Sequence, residues 1–153
     1  MVLDSAWREA VMSEALVQAE EAAAAGEIPV GCVIADGTGQ ILARGRNRRE
    51  ERADATAHAE VEAIRAACAR RGSWRLEDCT LFVTLEPCPM CAGAIFNARI
   101  GTVVFGAREA KSGSLGSVTD LFWEDYGFRP RVYGGVRAEE CAALLRLFFR
   151  QLR

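Results

Sequence analysis

The chain has 153 residues, of which 50% are hydrophobic and 26% are charged, and its formal net charge at pH 7 is −2. This length suits one domain with a sizeable core, and no apolar run is long enough to suggest a membrane span. The slight negative charge disfavours nonspecific nucleic-acid binding, so that any such contact would need a local basic patch. We therefore expect one soluble domain over residues 1–153, located in the cytoplasm and not at a membrane.

Segments of helical length and segments of strand length alternate along the chain, as judged by their apolar spacing and by their β-branched and aromatic residues. The expected helices cover residues 5–25, 58–71, 89–98 and 138–152, and the expected strands cover residues 30–35, 41–44, 80–85, 99–106 and 130–136. This alternation implies a sheet with parallel pairs and with helices on both faces. Active sites in such sheets form at the strand ends, beside the helix N-termini.

Two polar loops interrupt this alternation. Residues 44–52 carry a dense set of charges, which we interpret mostly as a solvated connection, with Asn47 as the exception. Residues 107–118 are rich in glycine and serine, which is typical of a mobile or ligand-contacting loop. The C-terminal stretch 97–153 holds nine basic and six acidic residues.

Four of the six cysteines are scattered through apolar segments and form no spaced pattern. They are Cys32, Cys68, Cys79 and Cys141. Such thiols are typical of core residues that stay reduced inside the cell, and not of a disulfide framework.

The other two cysteines lie where a strand is expected to give way to a helix. Cys88 and Cys91 are three residues apart, Pro87 ends the strand, and Pro89 suits the first helical turn. Both thiols would face one side of that turn, where unpaired backbone N–H groups favour the thiolate form that binds metals. Taken alone, the pair is also compatible with a redox site or with two buried small residues.

His58 is the one histidine in the chain, and Glu60 follows it by two residues. One imidazole and two thiolates give zinc three protein ligands and leave the fourth position to water, as in catalytic zinc sites. The order of these residues resembles the H-x-E and P-C-x-x-C signature of zinc-dependent nucleobase deaminases. Residues i and i+2 point to nearly opposite sides of a helix, so His58 and Glu60 can share a site only at the helix start.

These residue types predict a hydrolytic mechanism. Zinc lowers the pKa of a bound water to about 7, so the predicted nucleophile is zinc-bound hydroxide. Glu60 is the predicted proton shuttle, which takes a proton from the water, passes it to the ring nitrogen and protonates the departing ammonia. The reaction needs no organic cofactor and no redox partner.

Over nearly its whole length the chain resembles the bacterial tRNA-specific adenosine deaminases, which make inosine at the wobble base of the anticodon. The segments that carry this resemblance are 27–31, 45–47, 56–60, 84–88, 90–95, 104–108, 140–145 and 148–150. The resemblance implies a three-layer α/β/α sandwich with a central mixed sheet of about five strands, as in the cytidine-deaminase-like superfamily. It also implies Zn²⁺, a tRNA anticodon stem-loop as partner and a homodimer.

The resemblance further implies a set of substrate contacts. The matching positions are Asn47, Ala59, Pro87, Glu109, Lys111 and Phe149. Asn47 would contact the flipped base, and Glu109 and Lys111 would contact ribose and phosphate. Glu109 replaces the family's usual aspartate and is one methylene longer, which leaves its ribose contact open. Lys111 is equally consistent with a solvated charge, and Phe149 with core or dimer packing.

Two other functions are compatible with the same motifs. The first is zinc-dependent deamination of a free base or nucleoside, guanine or cytosine, because residues 87–91 also resemble guanine deaminases. The second is a zinc-stabilised binding protein without catalysis, in which Cys32 or Cys79 supplies a fourth ligand. Glu60 argues against the second, since a structural zinc site has no use for a proton shuttle.

Overall fold

A computed structural model describes residues 4–152 as helices that alternate with short strands. The helices are α1 (Ser5–Ala24), α2 (Arg49–Arg52), α3 (Ala59–Arg71), α4 (Pro89–Asn97) and α5 (Ala138–Gln151), with a 3₁₀ turn at Leu121–Trp123. The strands are β1 (Gly31–Ala35), β2 (Ile41–Arg46), β3 (Thr80–Leu85), β4 (Thr102–Ala107) and β5 (Arg131–Tyr133).

The five strands form one mixed sheet in the order β2-β1-β3-β4-β5. The hairpin strand β1 runs antiparallel to both β2 and β3, whereas β3, β4 and β5 are parallel to one another. Parallel neighbours need a crossover, and α4 supplies it between β3 and β4. The predicted α/β class with a central mixed sheet is confirmed.

Alternate side chains of the central strands β1, β3 and β4 enter two different cores, which lie on opposite faces of the sheet. Leu81 and Val83 pack with α3 and α4 on one face, while Phe82 packs with α1 and the start of α5 on the other. This alternation follows from the two-residue period of a strand. The layers are therefore helix, sheet and helix, as predicted.

The packing of α3 against β2 depends on a glycine. A Cβ atom at Gly45 would lie 2.5 Å from the carbonyl oxygen of Ala59 and 2.6 Å from the backbone nitrogen of Ala63. Only a residue without a side chain permits this approach. Gly45 thus sets the position of the first turns of α3, which begins directly after His58.

The predicted element bounds hold for most of the chain and differ at three places. β4 begins at Thr102 and not at residue 99, because Arg99 adopts a left-handed conformation (φ 59°) as the chain leaves α4. The last strand is only Arg131–Tyr133. The charged segment 44–52 is more ordered than expected, since β2 continues to Arg46 and the short α2 follows.

The four scattered cysteines are free, and all but the half-buried Cys68 lie in the core. Within residues 4–152, no helix is both long enough and apolar enough to pass through a membrane.

Candidate active site

Two helix starts bring the predicted metal ligands together. His58 is the N-cap of α3 and Cys88 is the N-cap of α4, and both have extended backbone conformations (ψ 155° and 174°). Neither side chain caps its own helix, so both are free to point toward a common centre. Cys91 follows in the first turn of α4. The expectation that His58 and Glu60 meet only at a helix start agrees with this geometry.

The ligand atoms of these three residues have the spacing of a zinc site. The His58 Nδ1 lies 3.6 Å from the Cys88 Sγ and 3.5 Å from the Cys91 Sγ, and the three atoms lie within 4.8 Å of one another. Zinc–sulfur bonds of about 2.3 Å and zinc–nitrogen bonds of about 2.0–2.1 Å at a tetrahedral angle place nitrogen and sulfur about 3.6 Å apart. The three residues therefore fit Zn²⁺.

Within residues 4–152, this group contains no fourth protein ligand. Cys32 and Cys79, the two candidates considered above, do not belong to it. A three-ligand set with one open position is typical of catalytic zinc, whereas structural zinc sites have four protein ligands.

The electrostatics around the two thiols differ sharply. Hydrogen bonds from Cys91 and His58 lower the pKa of Cys88 to about 4, although burial opposes this shift. The pKa of Cys91 is raised, first because its proton is held by Cys88 and then because it is buried. The pKa of His58 is raised by its hydrogen bond with Cys88.

Glu60 lies at the inner wall of the site. Its side chain is hydrogen-bonded with Cys91, and the residue is only 4% exposed. Burial raises its pKa to about 7. A carboxyl group with this pKa can both accept and donate a proton near neutrality, as a proton shuttle must.

His58, Cys88 and Glu60 line a pocket of about 190 Å³, while Cys91 is buried behind it. Drug-sized ligands occupy pockets of about 300–1,000 Å³, so this one suits a smaller group such as a single nucleobase. Four of the predicted substrate contacts lie in its lining: Asn47, Ala59, Glu109 and Phe149. Pro87 and Lys111 lie outside the lining, each next to a residue that belongs to it.

The pocket lining also contains residues that sequence reasoning missed as site residues. They are Ile28, Val30, Arg49, Leu85, Glu86, Ser112 and Leu145. Arg49 lies in the charged segment that we interpreted as a solvated connection, and Leu145 lies in the expected last helix, within the segment 140–145 that carries the resemblance. The segments that contain these residues belong to the resemblance or to the two polar loops. No local sequence pattern, however, indicates that these individual side chains line a pocket.

Two buried glutamates hold opposite walls of the pocket. The Glu27 carboxylate accepts the backbone N–H groups of Glu50 (3.1 Å) and Glu51 (2.7 Å), which fixes α2. The Glu86 carboxylate accepts the backbone N–H groups of Glu109, Leu115 and Ser117 at 3.0–3.1 Å. These bonds lower the pKa of Glu86 against the effect of burial.

The loop of residues 107–118 packs against Glu86 and is hydrogen-bonded to it. The Ser117 hydroxyl also bonds the Glu86 carboxylate, and the Ser114 N–H donates to the Pro87 carbonyl at 2.9 Å. A Cβ atom at Gly113 would lie 2.5 Å from the Glu86 carboxylate. This loop therefore packs directly on the residues that lead into Cys88, and it contributes Glu109 and Ser112 to the pocket.

The residues of this site match a known family of enzymes. The profile of the cytidine and deoxycytidylate deaminase zinc-binding region matches residues 5–107, which include His58, Glu60, Cys88 and Cys91. The chain belongs to this family of zinc-dependent deaminases. The expectation of a zinc cofactor is thereby confirmed.

Within that class, curated relatives extend over almost the whole chain. The tRNA-specific adenosine deaminase of Bacillus subtilis is 46% identical over 146 residues, which cover 95% of this chain and 90% of that enzyme. The tRNA(Ile)-lysidine synthase of Deinococcus radiodurans is 53% identical over 144 residues. These cover 94% of this chain but only 25% of that protein, so the chain spans about a quarter of that relative's length.

Solved structures give the same class. A tRNA:A34 deaminase, studied for A-to-I editing at the wobble position of transfer RNA, superimposes with a TM-score of 0.84 and 42% identity. The match covers 88% of this chain and 97% of that one. The guanine deaminase of Bacillus subtilis matches with a TM-score of 0.62 and 42% identity over 73% of this chain and 71% of its own. The predicted resemblance to tRNA-specific adenosine deaminases is confirmed.

Proposed function

We propose that this chain hydrolyses adenosine to inosine at the wobble position of a tRNA anticodon loop. The observation that carries the proposal is the similarity to the Bacillus subtilis tRNA-specific adenosine deaminase, which extends over 90% of that enzyme. The small pocket beside His58, Cys88 and Cys91 supports it, because one flipped base would fill such a pocket while the rest of the RNA stays outside.

In this proposal His58, Cys88 and Cys91 hold the zinc ion at the floor of the pocket. Zinc, when bound, supplies a Lewis acid that makes water acidic enough to attack as hydroxide near neutral pH. The chain supplies the rigid placement of the three ligands, since two of them are N-caps of helices that pack in the same core. Their position leaves one side of the centre open to the pocket.

Glu60 moves the protons of the reaction. It takes one proton from the attacking water and delivers it to the ring nitrogen N1, while a new C6–O bond forms. It then transfers the second water proton to the amino group as the C6–N bond breaks. The products are inosine and ammonia, and the reaction consumes one water and needs no organic cofactor or redox partner. The burial of Glu60 within the pocket supports this role, because bulk water does not compete for the proton.

The base and its ribose would contact the predicted substrate residues. Asn47 precedes α2, Ala59 begins α3 and Glu109 belongs to the loop of residues 107–118, and all three line the pocket. Phe149 also lines the pocket and is 45% exposed, so that its aromatic face is available for stacking. Pro87 and Lys111 lie outside the lining and remain proposed contacts.

We further infer one domain over residues 1–153, a cytoplasmic location and a homodimer. An apolar depression between α4 and the 3₁₀ turn Leu121–Trp123, lined in part by Phe96, Phe122 and Tyr126, supports a second copy at this face. Sedimentation of the zinc-loaded protein at a series of concentrations tests the assembly.

A second candidate is deamination of free guanine. The 42% identity to the guanine deaminase of Bacillus subtilis supports it, although that match covers less of the chain than the tRNA:A34 deaminase does. Both candidates use the same zinc centre and Glu60, so the substrate alone separates them.

The test is to incubate zinc-loaded protein with an anticodon stem-loop that carries adenosine at the wobble position, and in parallel with free guanine, cytosine and adenosine. We expect inosine in the stem-loop and no ammonia from the free bases. Glu60→Gln should reduce the rate by at least about 100-fold with zinc retained. The exposed Glu20→Gln is the matched control. Ammonia from guanine with an unchanged stem-loop would select the second candidate.

A further inference from the structure

A second concavity, of about 430 Å³, lies at the outer edge of the sheet, where β2 meets α2 and α3. Its charged lining consists of Arg44, Arg46, Arg48, Arg52, Arg65 and Glu62. We call this set of residues the arginine groove. Most of it comes from the charged segment that the sequence suggested to be a solvated connection.

A single buried carboxylate organises three of these arginines. The Glu62 side chain is 9% exposed and lies 2.5 Å from the Arg52 guanidinium, 3.7 Å from that of Arg48 and 4.0 Å from that of Arg65. A carboxylate at hydrogen-bonding distance restricts the position of the guanidinium group that it pairs with. Arg52 is therefore held by Glu62 before any ligand arrives, whereas Arg65 is only loosely paired.

The groove keeps an excess of positive charge. Beyond Glu62, the acidic partners of its arginines are Glu14, which is 3.5 Å from Arg44, and Glu51, which is 2.9 Å from Arg46. Five arginines against these three glutamates leave a local charge of +2, whereas the whole chain carries −2. Arg44 and Arg65 are the least engaged of the five, with side chains 48% and 62% exposed.

The arginine groove adjoins the active-site pocket. Asn47 and Arg49 line the pocket, while Arg48, between them in the chain, lines the groove. The same short segment thus forms a wall of both. Glu27 fixes this segment through the N–H groups of α2, so that the two cavities have a constant relative position.

We propose that the arginine groove binds the phosphodiester backbone of the RNA whose target base enters the pocket, an inference that rests on the proposed function. Guanidinium groups bind phosphate with two parallel hydrogen bonds, and they supply the sequence-independent part of nucleic-acid affinity. The groove is the local basic patch that a chain of net negative charge needs for this purpose.

The lining favours a nucleic-acid backbone over an acidic protein partner. Protein interfaces concentrate their binding energy in aromatic and large apolar anchors. Among residues 4–152, no aromatic side chain lines the groove, and its uncharged members include only the small Gly45 and Ala66 and the polar Gln18. Such a surface offers charge and space but no apolar anchor.

The experiment compares two double variants with equal changes in charge. Arg44→Ala/Arg65→Ala removes the two least engaged cations of the groove. Arg75→Ala/Arg131→Ala is the control, with one exposed arginine beside Glu77 and one on β5, at the opposite edge of the sheet. For each zinc-loaded protein we would measure melting temperature, RNA affinity between about 50 and 200 mM salt, and the kinetics of inosine formation.

We expect the groove variant to bind the stem-loop about tenfold more weakly. The slope of log K against log salt concentration should become less steep by about two, since two phosphate contacts disappear. KM should rise by a similar factor, with kcat and melting temperature unchanged, while the control stays near wild type. Equal affinity and equal slope for the groove variant and the control would overturn the proposal. If wild type binds RNA without forming inosine but the groove variant binds more weakly, the proposed function fails and the groove assignment stands.

Discussion

The carboxylate of Glu86 accepts the backbone N–H of Glu109 across 3.1 Å, and this bond joins the segment between β3 and Cys88 to the loop of residues 107–118. Leu115 and Ser117 add their N–H groups to the same carboxylate. A loop rich in glycine and serine loses much conformational freedom when it is ordered. Glu86 offsets that loss with charge-assisted hydrogen bonds. These bonds hold the loop in a fixed position relative to the segment that leads to Cys88.

We therefore predict that Glu86→Gln loosens the loop without removing zinc. An amide would place its NH₂ group against N–H donors, which costs about 3 kcal/mol of stability. Hydrogen exchange at the amides of Glu109, Leu115 and Ser117 should accelerate, and KM for the stem-loop should rise more than kcat falls. Ser117→Ala, which removes only the hydroxyl bond, should cost about 1 kcal/mol. Unchanged exchange in the loop of the Glu86 variant would contradict this view.

The close approach of α3 to Gly45 leads to a second prediction about the site. In Gly45→Ala the new methyl group would meet the backbone of Ala59 and Ala63 at 2.5–2.6 Å, so α3 must move and take His58 with it. Overpacking of this kind costs about 1–3 kcal/mol, and zinc affinity should fall with it. Urea unfolding and zinc titration measure the two effects.

The matched control for Gly45 is Gly93→Ala in α4, where a Cβ atom would find no heavy atom within 4 Å. Because alanine is the better helix former, this variant should gain about 0.5–1 kcal/mol. A loss of stability at Gly93 equal to that at Gly45 would mean that glycine itself, and not close approach, explains the result.

Loss of a thiol ligand should abolish metal binding and activity together. Cys88→Ser replaces a thiolate with a hydroxyl that does not ionise near neutral pH, and we expect zinc affinity to fall by more than about 100-fold. The protein should also melt at a lower temperature, since it loses the stabilisation that bound metal gives the folded state. Cys68→Ser, outside the ligand group, should retain about one zinc per chain. Metal analysis after dialysis decides between these outcomes.

Asp78 allows a prediction about pH. Its hydrogen-bonded ion pair with Arg71 lowers its pKa to about 2, and the Gly37 N–H adds to this effect at 3.2 Å. A carboxyl group whose pKa is lower in the folded state stabilises the fold above its usual pKa, and this contribution disappears as the pH falls toward 2. Because half of the side chain is exposed, we expect Asp78→Asn to cost only about 0.5–1 kcal/mol at pH 7.

The check is the difference in unfolding free energy between wild type and Asp78→Asn as a function of pH. It should be constant from neutral pH down to about pH 5, decrease as the pH falls through the usual and the folded-state pKa, and vanish only below about pH 2. A difference that stays at its neutral-pH value at about pH 2 would indicate that Asp78 stabilises the fold by packing and not by charge.

The grouping of His58, Cys88 and Cys91 could be predicted from sequence because both short motifs fall where a helix is expected to begin. Pro89 marks the first turn of α4, and Gly72, in a left-handed conformation (φ 74°), marks the end of α3 and so limits how far the helix that follows His58 can extend. These signals act within a few residues, so a single chain contains all the information that they need. The order of alternating helices and strands along the chain was predictable for the same reason.

The glutamates that hold the pocket walls could not be predicted in this way. Glu27 bonds residues that are 23 and 24 positions away, and Glu86 bonds residues up to 31 positions away. Burial of these carboxylates depends on the finished tertiary structure and leaves no periodic trace in the sequence. Arg49 was missed for a similar reason, because a charged residue in a polar segment looks the same whether it faces solvent or a cavity.

The antiparallel placement of β1 between β2 and β3 also bears on the order of folding. The β1–β2 hairpin with α3 provides His58, whereas the parallel unit of β3, α4 and β4 provides Cys88 and Cys91. The ligand set therefore stays incomplete until β1 pairs with β3, a contact that closes a loop of several tens of residues. Uptake of zinc in a refolding experiment would consequently mark the moment at which the two parts of the chain have docked.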